Sequence, residues 1–390
     1  MHNFFLKPLY LTILIVALTI NPAFSLEIKI GLAISNKEAY ITSNKASKLI
    51  NELNGKIIFD LLPLQEVCVS NLNGFIKIRL KNSTKEESIG VFTGPIKLSP
   101  KDKNAFCYFN KKLYRGNIIA IPNNSKDQIT VINSIDLEDY LLSVVPSEIP
   151  SAWHDEALKA QAVAARSYAI GYLRRRADKG YDLESTVEDQ VYYGVSAEKP
   201  STTSAVKQTK GIILVDDENK PIIALYHSSG GGYTDSIENL WDQKPSRFIK
   251  PRPDYDDKSP YFTWLRSYNI SDASRLLIDY KIGELTNIIP LERSESNRVT
   301  WLKLIGTSGE YVLRGEELRK KLKLPSSKFN LALEGGKVSF AGRGFGHGLG
   351  LSQWGTKALA ENGFSYKLIL MHYYSGAMIA SINDVSINRI

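Results

Sequence analysis

The sequence predicts an α+β fold: mixed strands around a long central helix, preceded by a small β-rich N-terminal domain. Short apolar stretches cut by Asn, Gly, Ser and Pro recur along the chain, one alanine-rich stretch is helical in pattern, and the two kinds of element do not alternate regularly. The composition permits this. A chain of 390 residues, 43% hydrophobic and 23% charged, can bury one large core or two moderate ones and does not read as disordered. The expected divisions are a leader at 1–25, the β-rich domain at 26–108 and a main domain at 109–385.

The leader follows from Lys7, an apolar stretch over residues 9–20 between Pro8 and Pro22, and the small residues Ala23 and Ser25 before a cut at Leu26. An uncleaved anchor is the alternative, but the stretch falls short of the roughly 20 residues that a spanning helix needs. No later apolar run is long enough to cross a membrane. The expectation is therefore an exported protein, periplasmic or associated with the cell wall, with no stable membrane span after cleavage. Cys68 and Cys107 would then meet an oxidising compartment, and a disulfide and two buried thiols both stay open. The net charge of +8 suits a polyanionic partner such as bacterial wall. Nucleic acid would match that charge, but no Lys/Arg run or recognition motif accompanies it and export argues against it, so no nucleic-acid partner is expected.

From residue 26 the segments EIKIGLAI, KIIFDLL, GFIKIRL and SIGVFTGPIKL read as strands, followed by YRGNIIAIPN and QITVINSI. None of the first four carries a catalytic pattern, which favours a spacer or wall-binding role for 26–108. After Pro150 the pattern becomes a long helix. Ser151 is a cap for it, Asp155 and Glu156 suit its positive end, Arg174 to Arg176 its negative end, and Gly180 a stop. Its alanine-rich centre requires other backbone to pack closely on several sides. GIILVDD and PIIALYHSSGGG then read as two strands joined by a polar turn, ahead of a proline-punctuated loop at 245–260. A helix from Asp272, the strands VTWLKLIG and EYVLRG, the helical GEELRKKLKL, the glycine-rich AGRGFGHGLGLSQWGTKALAENG and a last helix through YKLILMHYYSG complete the chain.

Three of these segments, YLLSVVPSEIPSAWHDEALKAQAVAARSYA, YHSSGGGYTDSIENLW and FAGRGFGHGLGLSQWGTKALAENGFSYKLILMHYYSG, together resemble the SpoIID/LytB family of sporulation and wall-remodelling proteins, in the family's order. The resemblance covers roughly residues 114–380 and leaves 26–108 unexplained. It implies binding of peptidoglycan glycan strands. For one branch it implies lytic transglycosylase activity, and for the other a protein that enhances a separate cell-wall amidase, which makes such an amidase a candidate partner.

The resemblance places the family's catalytic glutamate at Glu148. The residues agree with that: Glu148 lies between Pro146 and Pro150, which restrict the backbone around its carboxylate. In a lytic transglycosylase one carboxyl protonates the leaving oxygen and then takes the proton of the sugar's own C6 hydroxyl, so a second acid is not required. The structural alternative is an acid favouring a helix N-terminus, which would lower its pKa, whereas an acid at neutral pH needs it raised by burial. Lys159, Gln161 and Arg166 match polar positions of the family motif. Lys159 and Arg166 share a helix face and Gln161 points about 200° away from Lys159; they either position glycan or bond to neighbouring strands.

The alternating glycines from Gly342 to Gly350 read as an extended segment with one bare side, where a sugar ring or another strand fits. Ser352 caps a helix stopped by Gly363, which directs Gln353 and Trp354 toward that segment; Trp354 suits either sugar stacking or the core. His227, with Ser228 beside it, and His347 fall in family-like segments and suit hydrogen bonding to glycan hydroxyls. No metal-binding spacing, dinucleotide fingerprint, phosphate loop or serine-hydrolase elbow is present, so neither a metal nor a cofactor is expected. The rival to an enzyme is a binding module that uses the same groove without cutting.

Overall fold

The computed structural model describes residues 25–81, 85–123, 127–241 and 243–385. The expected leader lies outside the described residues apart from Ser25. The fold is α+β with mixed sheets. Strands Leu183–Glu184, Glu27–Asn36, Ile129–Asp136, Asn117–Pro122, Ile96–Pro100, Ser47–Asn51 and Ile57–Leu61 form one sheet in that order. A second sheet runs Lys112–Tyr114, Cys107–Phe109, Glu38–Ser43, Glu66–Leu72, Phe75–Lys81 and Glu86–Phe92. In Phe75–Lys81, for example, Ile76, Ile78 and Leu80 turn inward at every second position, as a half-buried strand requires.

Residue 108 lies inside the strand Cys107–Phe109, and Glu27–Asn36 pairs with Ile129–Asp136, so strands on both sides of that expected division share sheets and one core. Cys68 and Cys107 are buried free thiols. They pair with Tyr40 and Ser43 on opposite sides of the strand Glu38–Ser43, one beside Arg79 and the other donating to the Gly116 carbonyl oxygen.

The helices are α1 (Leu137–Glu148), α2 (Asp155–Gly171), α3 (Pro200–Gln208), α4 (Ile237–Leu240), α5 (Ile270–Leu276), α6 (Gly315–Lys321), α7 (Gln353–Glu361) and α8 (Tyr366–Tyr373). Helix α1 is absent from the sequence reading because Pro146 and Pro150 resemble breakers; Pro146 is in fact accommodated in its last turn. The Asp136 carboxylate ends the preceding strand and caps α1 by accepting from Glu138 N at 2.8 Å. Helix α2 starts later than expected, with His154 rather than Ser151 as its cap, and ends before the three arginines, where Arg174 takes a left-handed φ of 63°. Its alanines are fully buried because α1, α3, α7, α8 and the strand Ile212–Val215 all pack on it.

The expected strand pair joined by a turn at residues 217–220 contracts to a bridge between Val215 and Pro221. Pro221 has no N–H for a ladder, and Ile212–Val215 pairs instead with Met378–Ser381. Tyr226–His227 pairs in parallel with Leu351–Ser352, which joins two of the family-like segments. A smaller core, with Trp264, Leu302, Leu318 and Phe340, lies within residues 264–340 among two three-stranded sheets, α5 and α6.

Candidate active site

Glu148 is the last residue of α1, not a residue ahead of a helix. The helix ends there because Pro150 pushes Ile149 into an extended conformation (φ −135°, ψ 151°). At a C-terminus the helix dipole opposes a negative charge, so the opposition between helix end and acid role expected from sequence does not arise. The partly buried carboxyl accepts from Val191 N at 3.0 Å through Oε1 and from Gln353 Nε2 at 3.4 Å through Oε2, and it bonds the Tyr226 hydroxyl. Burial raises its pKa and prevails over those three bonds, each of which favours the charged form.

Behind this contact lies a buried relay. Gln190 is fully buried; its amide donates to Tyr226 Oη at 2.9 Å and to Ala165 O at 3.2 Å, and it accepts from Tyr140 Oη at 3.2 Å. The relay fixes the Tyr226 hydroxyl relative to Glu148. Gln190 and Val191 were missed from sequence. Val191 acts through its backbone N–H, which carries no residue signature, and Gln190 lies in a loop without periodicity.

The α2 residues behave differently from one another. Lys159 pairs with Asp155 at 2.6 Å and Glu156 at 2.9 Å, in the first turn of its own helix. Arg166 is fully buried; it makes a two-pronged bond to Glu138 with both contacts at 2.8 Å and donates to Ile212 O at 3.1 Å. It therefore ties α2 to α1 and to the strand Ile212–Val215 and does not face a groove. Gln161 is also fully buried, and its amide atoms have no partner among the described residues.

Gly342 lies in the strand Lys337–Arg343, but from Gly344 on the glycine segment is not an extended strand with a bare face. Gly344, Gly346, Gly348 and Gly350 have φ of 80°, 100°, 83° and 67°, a left-handed conformation costly to other residues. Their open sides are filled by protein: a Cβ on Gly350 would come within 2.0 Å of Leu225 O, and one on Gly348 within 2.3 Å of the Arg298 guanidinium. The segment instead binds the chain at 227–231. Ser229 and Phe345 exchange backbone bonds at 3.0 and 2.8 Å, and the Ser228 carbonyl accepts from Trp354 N at 3.0 Å.

His227 is buried and bonds Leu349 O through Nδ1 at 3.1 Å. Burial, then the Arg298 charge, lowers its pKa to about 3, so the ring is neutral with Nδ1–H donating. His347 Nδ1 accepts from Leu349 N at 3.0 Å, and burial holds its pKa well below the ordinary value. The two rings are 5.6 Å apart. Among the described residues no group of three or more His, Cys, Asp or Glu is arranged to hold a metal ion. Ser352 caps α7 as expected and Gly363 follows its end at a φ of 85°, which places Gln353 against Glu148 and Trp354 edge-on to Trp153 at 5.2 Å.

The structure thus brings Glu148, Gln353, Trp354, Ser228 and His227 into one connected region, and leaves Lys159 and Arg166 in ion pairs. A cavity of about 1150 Å³ near residues 170–182 does not include Glu148. No helix among the described residues is long and apolar enough to cross a membrane.

Residues 125–215 match the family model described as stage II sporulation protein, and residues 211–350 match a model described as a domain of unknown function. The chain is 33% identical over 268 residues to stage II sporulation protein D of Bacillus amyloliquefaciens, covering 65% of this chain and 76% of that protein. It is 31% identical over 278 residues to stage II sporulation protein D of Bacillus subtilis (strain 168), covering 66% and 78%. An amidase enhancer of the same strain is 29% identical over 291 residues, covering 62% of this chain and 40% of that protein.

Proposed function

The chain belongs to the SpoIID/LytB family, and from that premise we propose that it is an exported cell-wall protein acting as a lytic transglycosylase on the glycan strands of peptidoglycan. The observation that carries this reading is Glu148: a carboxyl held by Val191 N–H and Gln353, with its pKa raised by burial. Such a group keeps its proton to higher pH than an ordinary carboxyl does, the direction that a general acid requires. Oε1 has the shorter bond, which leaves Oε2 to carry the acidic proton. Glu148 gives that proton to the glycosidic oxygen as the bond to the muramyl C1 breaks. As a carboxylate it then takes the C6 hydroxyl proton while O6 closes on C1. The products are a 1,6-anhydro end and a free hydroxyl, no water is consumed, and Glu148 returns protonated.

The test is mass spectrometry of purified sacculi, with and without prior amidase treatment, after incubation with the protein or its Glu148→Gln variant. Anhydro-muramyl products are expected from the former and at least ~100-fold fewer from the latter, as befits loss of a general acid. Binding without products on either substrate would sink the enzyme reading. The second reading, a glycan-binding enhancer of a cell-wall amidase, is favoured by the engagement of Lys159 and Arg166 in internal ion pairs and by the likeness to an amidase enhancer.

A further inference from the structure

The loop that follows the strand Leu183–Glu184 meets the Glu148 site through successive residues with different tasks. The Asp189 carboxylate, closed off from solvent, accepts from Glu184 N at 2.7 Å and pairs with Arg175 at 3.1 Å and Arg176 at 2.5 Å, which anchors the loop. Val191 gives its backbone N–H to Glu148 Oε1 at 3.0 Å. Between the two, Gln190 turns its amide into the protein, where it is fully buried.

The orientation of that amide follows from its partners. A backbone carbonyl oxygen can only accept, so the atom facing Ala165 O at 3.2 Å is Nε2, which leaves Oε1 to accept from Tyr140 Oη at 3.2 Å. Nε2 also donates to Tyr226 Oη at 2.9 Å. A phenol carries a single hydrogen, and with its oxygen already bonded by Gln190, Tyr226 directs that hydrogen to its other partner, the Glu148 carboxyl. Burial, then the charge of Glu148, holds the Tyr226 pKa well above the ordinary value, so the hydrogen stays on the phenol oxygen. The other ionisable groups packed around this chain leave it undisturbed: burial raises the pKa values of Tyr140, Tyr168 and Tyr192, and Asp189 faces its two arginines.

We propose that Gln190 is a positioning residue that fixes Tyr226 as a one-way donor to Glu148, so that the proton of the acid form leaves toward the substrate and not into the protein. Val191 N–H has no lone pair with which to accept that proton, and the Tyr226 oxygen, bonded by Gln190, meets the carboxyl hydrogen first. Gln190 touches no reacting atom and acts through Tyr226. Without the Gln190 donor the Tyr226 hydroxyl rotates and accepts from protonated Glu148, which stabilises the acid form and holds its proton back. The inference rests on the acid role of Glu148.

The experiment uses the full chain, Tyr226→Phe, Gln190→Met and the two combined. Protonation of Glu148 is followed by infrared difference spectroscopy, each protein against its own Glu148→Gln counterpart, and release of anhydro-muramyl products from sacculi is followed across pH. Tyr226→Phe removes a donor that favours the carboxylate, so the infrared midpoint and the alkaline limb of the rate profile both move to higher pH, and the plateau rate falls ~10-fold with the lost hydrogen bond. Gln190→Met moves both in the same direction, yet adds no further movement when Tyr226 is already Phe. Should Gln190→Met not fold, Gln190→Glu keeps the shape, puts an acceptor where the donor stood and moves the midpoint the same way. A midpoint unmoved by Tyr226→Phe or by the Gln190 substitution, or moved equally by Gln190→Met with and without the Tyr226 hydroxyl, overturns the proposal. The infrared midpoint needs no turnover: if it moves as stated while sacculi yield no products with Glu148 intact, the donor geometry stands and the enzyme reading falls.

Discussion

Glu148 is poised by opposing effects, and each can be altered alone. Burial favours the protonated form, while the bonds from Val191, Gln353 and Tyr226 favour the carboxylate. In the proposed mechanism activity needs the proton at the start of the cycle, so it is expected to fall as pH rises through the raised pKa. Gln353→Ala removes a bond that lowers this pKa; the pKa rises further, and the alkaline limb of the pH–rate profile for product release from sacculi moves to higher pH. An unmoved limb would mean that Gln353 only packs there. Arg166 calls for a different measurement. Arg166→Ala strands the Glu138 carboxylate beside a buried hole and is expected to cost about 3 kcal/mol in denaturant unfolding. At this scale the sequence displayed Glu148 through its flanking prolines and motif, and Gln353 through its place after a capping serine. Helical geometry put Lys159 and Arg166 on one face, but what lies opposite that face depends on chain far away in sequence, Ile212 in the case of Arg166.

The glycine loop shows what an element asks of its residues. Gly350 and Gly363 share a left-handed backbone, at φ of 67° and 85°, yet a Cβ at Gly350 would strike Leu225 O whereas one at Gly363 meets nothing within 4 Å. Gly363→Ala should therefore cost only the conformational strain, about 1 kcal/mol. Gly350→Ala should lower the unfolding free energy by at least about 2 kcal/mol, since backbone must also move; equal losses in chemical denaturation would refute the close-approach account. The alternation of glycines is visible in sequence, where it matches the period of a strand, and only positive φ turns the same spacing into a loop. Helices were legible where a cap and a stop agreed, as Ser352 and Gly363 do for α7. Helix α1 was hidden by Pro146, and strand partners by the short length of pieces such as Tyr226–His227.

For the molecule as a whole, the α+β class and a helix at its centre were legible because they rest on composition and periodicity. The sharing of sheets across residue 108 was not, because pairing between distant strands leaves no local mark. The two thiols belong to that shared β structure, Cys68 and Cys107 both fully buried and not joined in a disulfide. Neither should react with a thiol reagent until the protein is denatured, and reductant should leave the thermal midpoint where it is; a midpoint that dropped under reductant would mean that they bond to each other. The strand Glu27–Asn36 carries one more consequence. Its sheet neighbours are Ile129–Asp136 and Leu183–Glu184, so about 100 further residues must follow it before its first ladder can close. Assembly of this sheet is governed by a late-arriving partner, and the first of its described strands in chain order is among the last of that sheet to be secured.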